Sequence, residues 1–258
     1  PVKVLILDRL VHSYSSLDDP TRLVYSYERQ YAGATAYQNE RHNPLRALFI
    51  GGGGYTFPRF MEAAYPDSEL DVIEIDPGVT EIAHQLLGLE RDTRIATYNE
   101  DARMFLGRTP NRAYDLVFGD AFNDFSVPYH LTTHEFNQQV HAWMAPDGLY
   151  VINMIDGPSG ELFRSYVHTL RQTWRHVYAV MDVDAWRRAT RSTIVVIASD
   201  QALDVAALGE HAPELAASLL APDVLEGILA EDRAILLTDR YAPVDQLLLP
   251  VFLDILPE

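Results

Sequence analysis

The stretch from Leu45 to Asp76 constrains this chain more than any other. It reads Leu-Arg-Ala-Leu-Phe-Ile, then Gly51-Gly52-Gly53-Gly54-Tyr55, then a helix-patterned segment through Ala64, then Leu-Asp-Val-Ile-Glu-Ile-Asp. The pattern predicts strand, glycine turn, helix and second strand, with Glu74 at the second strand's end. Glycines let a backbone pass close under a ligand, and the helix start that follows offers unpaired N–H groups. An acid about 20 positions further on can accept hydrogen bonds from ribose hydroxyls. Gly51, Gly53 and Glu74 fit this arrangement. Thr56 stands where a dinucleotide site would need its third glycine. A single nucleoside such as S-adenosylmethionine is therefore the better match. Its candidate contacts here are Gly51, Gly52, Gly53, Gly54, Glu74, Ile75 and Asp76.

A chain of 258 residues suits one large domain, or one domain with a small appendage. Its 48% hydrophobic and 22% charged residues are ordinary globular values, so disorder is not expected. The absence of cysteine excludes disulfides, zinc-thiolate sites and cysteine nucleophiles. A formal net charge of −17 repels phosphate backbones, so nucleic acid is a poor partner. No apolar run is long enough to span a membrane and no signal peptide is visible. The chain starts at Pro1, so a longer parent is allowed.

Along the chain, residues 3–8 and 10–14 read as two short strands. Asp18-Asp19-Pro20 reads as a helix start, with the helix running from Thr21 to about Tyr37. Strands are then expected at 45–50, 70–75, 93–98, 114–119 and 149–154. Helical segments alternate with them at 56–64, from Pro77 to about Leu87, after Asp101, and at 133–144. Thr132 and Glu135 have the spacing of a capping box. Strands at 176–182 and 193–198 are candidates for an antiparallel edge, and residues 201–230 read as two or three short helices. This is an α/β pattern: a Rossmann-like, doubly wound, mostly parallel sheet with a small N-terminal β element. We divide it into a hairpin-and-helix element, residues 1–36, and a nucleoside-binding transferase domain, residues 37–258.

In open α/β sheets, ligands lie beyond the carboxyl ends of the strands. Glu74, Asp76, Asp101 and Asp120 all occupy such ends, in consecutive units, and should surround one crevice. In this reading Glu74 takes a ribose, and Asp101 with Ala102 takes the adenine. Asp120 lies nearest the sulfonium and the attacking nucleophile. Each acid alone could equally be a helix cap. A metal is not expected: His134, Gln138 and His141 share a helix face without a carboxylate or cysteine to join them.

The order of the glycine run, Ile-Glu-Ile-Asp, Glu100-Asp101-Ala102, Tyr-Asp-hydrophobic-Asp120 and Pro146-Asp147-Gly148 resembles the spermidine synthase family of aminopropyltransferases. Putrescine N-methyltransferases share that scaffold. The segments Asp120-Ala121-Phe122 to Phe136 and Leu237-Thr238-Asp239 to Asp245 are similar to the branch often fused to membrane-spanning segments. The resemblance covers nearly the whole chain. It implies Glu74 as the ribose acid, Asp101 with Ala102 as the adenine pair, and Asp120 as the acid that accepts the amine's proton. It implies His12 near the sulfur side of the nucleoside and Tyr27-Glu28 near the amine. Asp124, Asp239 and Tyr241 complete the amine-binding candidates. A homodimer and a cytoplasmic location, as a free protein or as the cytoplasmic domain of a membrane protein, are further implications.

Two departures from the family pattern bear on the chemistry. The usual Gly-Gly-Gly-Asp-Gly turn has Gly54 in place of its Asp and Tyr55 in place of its last Gly. In the family that Asp faces the amino end of decarboxylated S-adenosylmethionine. Two like charges ~4 Å apart repel by roughly 1 kcal/mol in water and by several at intermediate dielectric. Gly54 therefore tolerates the carboxylate of intact S-adenosylmethionine better than Asp would. The family's Asp-Ser-Ser-Asp is here Asp120-Ala121-Phe122-Asn123-Asp124, which loses the serine pair and moves the second acid by one position. The sequence alone favours methyl transfer from S-adenosylmethionine to a polyamine or diamine. Aminopropyl transfer from the decarboxylated form is the first alternative, and a non-catalytic polyamine or nucleoside sensor of a membrane protein the second.

Overall fold

The computed structural model describes residues 2–7, 10–121 and 127–253. The chain opens with β1 (Val2–Leu7) and β2 (Leu10–Ser16), paired antiparallel. The expected helix start at Asp18-Asp19-Pro20 is instead a turn, in which Asp19 Oδ1 accepts from the Thr21 N–H and hydroxyl. The side chain is spent on its own turn, a local competitor of the helix. Helix α1 (Ser26–Asn39) begins later, where the Glu28 carboxylate accepts from the Tyr25 N–H at 3.3 Å. The boundary drawn between residues 36 and 37 falls inside α1.

The alternating elements follow as β3 (Arg46–Ile50), α2 (Thr56–Ala64), β4 (Glu69–Ile73), α3 (Pro77–Leu86), β5 (Ala96–Tyr98), α4 (Ala102–Leu106), β6 (Tyr114–Gly119), α5 (His134–Ala142) and β7 (Met144–Asp156). The start of α5 differs from the expectation by one residue. Thr133 accepts from the Phe136 N–H, whereas the Thr132 hydroxyl donates to the Tyr129 carbonyl. After α6 (Glu161–Leu170) come β8 (His176–Val180), α7 (Val183–Arg188) and β9 (Ser192–Ser199). The Ala/Leu-rich stretch forms α8 (Val205–His211), α9 (Pro213–Ser218) and α10 (Pro222–Leu229). The tail adds α11 (Val244–Leu247) and α12 (Leu249–Leu253).

The main sheet has the order β5-β4-β3-β6-β7-β9-β8. Pairing is parallel from β5 to β7, and β9 runs antiparallel to both β7 and β8. This is the Rossmann-like methyltransferase fold, with the expected antiparallel edge and a separate two-stranded N-terminal sheet. Alternation along the strands separates two cores. Ala47, Phe49, Leu116, Phe118 and Val151 face one side with Tyr31, Phe57 and Leu208; Leu48, Ile50, Val117, Ile152 and Val196 face the other with Phe136, Phe163 and Leu225. Helix α1 packs on the first face, against α8, α9 and strands β6, β7 and β9.

The register lines up the strand tips. Ile50 pairs with Ile73 and Gly119, Ile73 with Tyr98, and Gly119 with Ile152. Gly51, Glu74, Asn99, Asp120 and Asn153 are therefore the next residue of five adjacent strands. Among the described residues no helix is long and apolar enough to cross a membrane.

One aromatic cluster holds this edge from below. Phe118 stacks on Phe49 with centroids 5.0 Å apart and meets Phe57 at 5.1 Å and Tyr31 at 4.9 Å. All four are buried. Phe118→Ala should leave a cavity that this closely packed surround cannot close, costing ~3–5 kcal/mol in chemical denaturation.

Candidate active site

The site is assembled on the glycine turn. Gly51 has φ +98°, and a Cβ there would lie 2.7 Å from the Asp120 carbonyl oxygen. Only glycine fits both the conformation and the approach. Gly53 also has positive φ, and a Cβ there would meet open space. Glu74 reaches back from β4 to this turn: its Oε2 accepts from the Gly52 N–H at 2.8 Å and the Gly53 N–H at 3.2 Å, and its Oε1 from the Asp76 N–H at 2.9 Å. A carboxylate has about four lone-pair sites, so capacity remains for ribose hydroxyls.

Two connected hollows lie over the strand tips. The first is lined by Glu74, Ile75, Asp101, Ala102, His130 and Pro128, among others. The second is lined by Tyr25, Tyr27, Glu28, Tyr31, Asn153 and Arg191, among others. His12, Gly51, Gly53 and Asp120 line both, so they form the shared wall. The structure thus brings together His12, the four glycines, Tyr27, Glu28, Glu74, Ile75, Asp101, Ala102 and Asp120.

Three candidates lie elsewhere. Asp76 is exposed and caps α3, its Oδ1 accepting from the Gly78 N–H at 2.7 Å. Asp239 pairs with Arg103, and its N–H donates to Glu135 at 3.0 Å. Arg103 in turn donates to the His130 carbonyl at 2.7 Å, so Asp239 supports the first hollow from behind. Tyr241 is 60% exposed and lines neither hollow. Asp124 lies outside the described residues.

Asp101 serves two ends at once. Its Oδ1 caps α4, accepting from the Arg103 and Met104 N–H groups at 2.8 and 3.1 Å. Its Oδ2 stands 3.3 Å from His130 Nε2. Capping and facing the hollow are therefore compatible. The three helix residues considered for a metal are engaged otherwise: His134 with Gln138 and Thr173, and His141 with Asp200. Among the described residues no group of three or more His, Cys, Asp or Glu could hold a metal ion.

The second hollow contains two acids with unusual ionisation. Burial pushes the Asp120 carboxyl up to about 7, opposed by hydrogen bonds from Asn153 and Tyr27. Asn153 Nδ2 donates to Asp120 Oδ1 at 2.8 Å. Glu28 is pushed up to about 8, first by burial and then by the charge of Asp120. Asn153 Oδ1 is itself buried and has no hydrogen-bond partner among the described residues. An acceptor left in this state beside a carboxylate suits an ammonium N–H brought by a ligand. Asn153 did not stand out in the sequence because it sits inside a strand pattern. Its signal was positional: the step after Ile152, beside the step after Gly119. Arg191 gave no signal at all, since its neighbourhood reads as an ordinary basic surface stretch.

The departures from the family's glycine turn also take physical form. A Cβ on Gly54 would lie 1.9 Å from Ser13 Oγ and 2.6 Å from Ser13 Cβ, so β2 occupies the room an aspartate would need. Tyr55, which stands where the family's turn has its last glycine, adopts the left-handed conformation with φ 54°. Its ring is buried, and its hydroxyl bonds Thr80 and Thr97 at 3.1 and 3.2 Å.

Two expectations follow. Gly51→Ala should strain the turn and push on Asp120, lowering thermal stability and adenosyl-ligand affinity together, as scanning and titration calorimetry would show. The second concerns pH. At low pH both acids are protonated in folded and unfolded chains alike. As pH rises the unfolded carboxyls ionise first, from their ordinary values of 3.8 and 4.5, while the folded ones resist until about 7 and about 8. Stability of the ligand-free protein should therefore fall through this window and level off above it. Glu28→Gln should flatten that fall in melting curves recorded from pH 4 to 9.

A family model of the spermine/spermidine synthase domain matches residues 28–197. A polyamine aminopropyltransferase of Vibrio vulnificus is 27% identical over 239 residues, covering 88% of this chain and 76% of the relative. In fold, the chain is similar to a probable spermidine synthase from Corynebacterium glutamicum, with a TM-score of 0.77, 21% identity and 94% of each chain covered. A spermidine synthase solved with the transition-state analogue AdoDATO superposes with a TM-score of 0.63 at 16% identity, covering 88% of this chain and 79% of that one. The match of the family model over residues 28–197, across the glycine turn and all the strand-tip acids, places this chain in the spermine/spermidine synthase family of alkyl transferases.

Proposed function

We propose that the protein transfers an aminopropyl group from decarboxylated S-adenosylmethionine to a small amine. Asp120 carries this reading: it forms the common wall between a nucleoside-shaped hollow and an acid-lined, aromatic one. The family match and the polyamine aminopropyltransferase relative favour aminopropyl over methyl transfer, reversing the order the sequence suggested. Methyl transfer draws its support from the shared scaffold and from Gly54.

The residues fit such a donor. Glu74 has free lone pairs for a ribose, Ala102 and Ile75 offer apolar surface to a base, and Gly53 leaves open space above the turn. When bound, the donor supplies a propyl carbon activated by a sulfonium, and a neutral thioether as leaving group. Attack forms the nitrogen–carbon bond as the carbon–sulfur bond breaks, and the sulfur keeps the electron pair. Asp120, ionised, holds the acceptor nitrogen and takes its proton. Asn153 Oδ1 accepts a second N–H, and Tyr27 steadies the Asp120 carboxylate. Glu28 takes the remaining positive charge, and Tyr25 and Tyr31 contact the methylenes. Alignment of the two reactants supplies most of the rate, since the leaving group needs no activation.

The test is product mass after incubation with each donor and a panel of amines. A mass gain of one aminopropyl unit is expected from the decarboxylated donor; gain of a methyl from the intact donor would overturn the assignment. Because the Asp120 carboxyl sits at about 7, kcat/KM should rise as pH is raised through that value. Asp120→Asn should lower kcat/KM by about 100- to 10,000-fold and abolish that rise.

A further inference from the structure

Arg191 is out of place in a pocket for a simple diamine. It lines the amine-side hollow with Tyr25, Tyr27, Glu28, Asp120 and Asn153. Among the described residues no ion pair or hydrogen bond to its guanidinium is found, while its surroundings are partly dry: burial pulls its pKa down and Tyr25 is the group opposing that. A cation held this way without a counter-ion is unfavourable unless a ligand supplies one. The neighbouring acids do not supply it. The ionisation of Asp120 is set by burial, Asn153 and Tyr27, and that of Glu28 chiefly by burial and Asp120. A diamine dication would gain from those two acids and lose to the guanidinium.

Two carboxylates and one guanidinium leave the hollow with a single negative charge when all are ionised. That matches an acceptor with two ammonium groups and one carboxylate. Tyr25, which lines the hollow with Arg191, is tied to the β2 wall, its hydroxyl donating to the Val11 carbonyl at 3.1 Å. On that wall Ser13 Oγ is buried, lines the same hollow and has no hydrogen-bond partner among the described residues. A hydroxyl and a forked guanidinium together are a carboxylate-binding pair. Arg191 shares this hollow with Gly54, where the tail of the donor also lies, so the charge balance with Asp120 and Glu28 is what points to the acceptor, and the donor pair in the experiment separates the two.

Resting on the transfer reading above, we propose that Arg191 binds a carboxylate of the acceptor, and that the acceptor is an amino-carboxylate with a second amine rather than a plain diamine. The experiment uses matched pairs that differ by one carboxylate: L-ornithine against putrescine as acceptors, and S-adenosylmethionine against its decarboxylated form as donors. Acceptors are titrated calorimetrically onto the protein saturated with methylthioadenosine, and transfer is followed by mass spectrometry. The wild type should prefer ornithine. Arg191→Met should weaken ornithine about 10- to 100-fold, leave putrescine unchanged or tighten it, and leave the donor pair unchanged. Arg191→Lys, which keeps the charge without the fork, should fall between.

A wild-type preference for putrescine overturns the proposal and leaves the transfer reading standing. So does an equal effect of Arg191→Met on both acceptors. An effect confined to the donor pair overturns it too, and gives the carboxylate to S-adenosylmethionine. Absence of binding by either donor overturns the transfer reading itself.

Discussion

The carboxylate of Glu74 is the fixed point of this site. It gathers three backbone N–H groups, two from the glycine turn and one from the start of the next helix segment. Hydrogen bonds to an ionised acceptor are stronger than neutral ones, and here they join three chain segments that would otherwise end in open loop. Much of the local sequence follows from this clasp. Gly52 must lack a side chain, because a Cβ there would stand 2.7 Å from the Tyr55 ring and 3.2 Å from Glu74 Oε2. Gly51 must pass beside Asp120.

Parallel strands explain why so much of this was readable from the residues alone. A parallel sheet with every strand tip in register turns sequence position into spatial position: one residue past the apolar run is one residue past the sheet edge. Glu74 and Asp120 could be placed together by that rule, and Asp101 by one further turn. The same rule covers Asn153, but its strand continues beyond the edge to Asp156 and hides the boundary. Arg191 is illegible for a different reason. Strand β9 runs antiparallel to β7, so its first residues, rather than its last, arrive at the ligand edge. Thr193 pairs with Ile155 there. Only the pairing direction reveals this, and periodicity within one strand carries no information about it. The polar ends of helices were the other weak point. Asp19 and Thr132 have side chains able to cap, yet each makes a local turn bond; α5 is capped by the adjacent Thr133, and α1 starts only at Ser26.

Asp76, Asp239 and Tyr241 show the limit of carrying roles by motif. Asp239 is coupled to the hollow only through Arg103, which binds the carbonyl of His130. Such a residue acts by positioning. The same reasoning applies to Gly54 with Ser13. Loss of an acid from the turn looks like a single change in sequence, but in space it is one half of a pair, since the strand of the N-terminal hairpin fills the vacated volume. Reintroducing the acid alone would therefore test a clash rather than a charge.

The two raised carboxyls link binding to folding. Burial makes the ionised forms of Glu28 and Asp120 unfavourable, and the charge of Asp120 raises Glu28 further. A cation placed between them reverses the sign of both effects, because it replaces mutual repulsion with two attractions in a weakly screened setting. Ligand binding should thus draw protons off the pair and stabilise the fold most where the empty site is least stable. The clasp at Glu74 fixes the glycine turn, and the aromatic cluster around Phe118 ties α1, which carries Glu28, to the strand that leads to Asp120. Stability given up in the hollow by these acids is offset by the packing of the sheet that carries them.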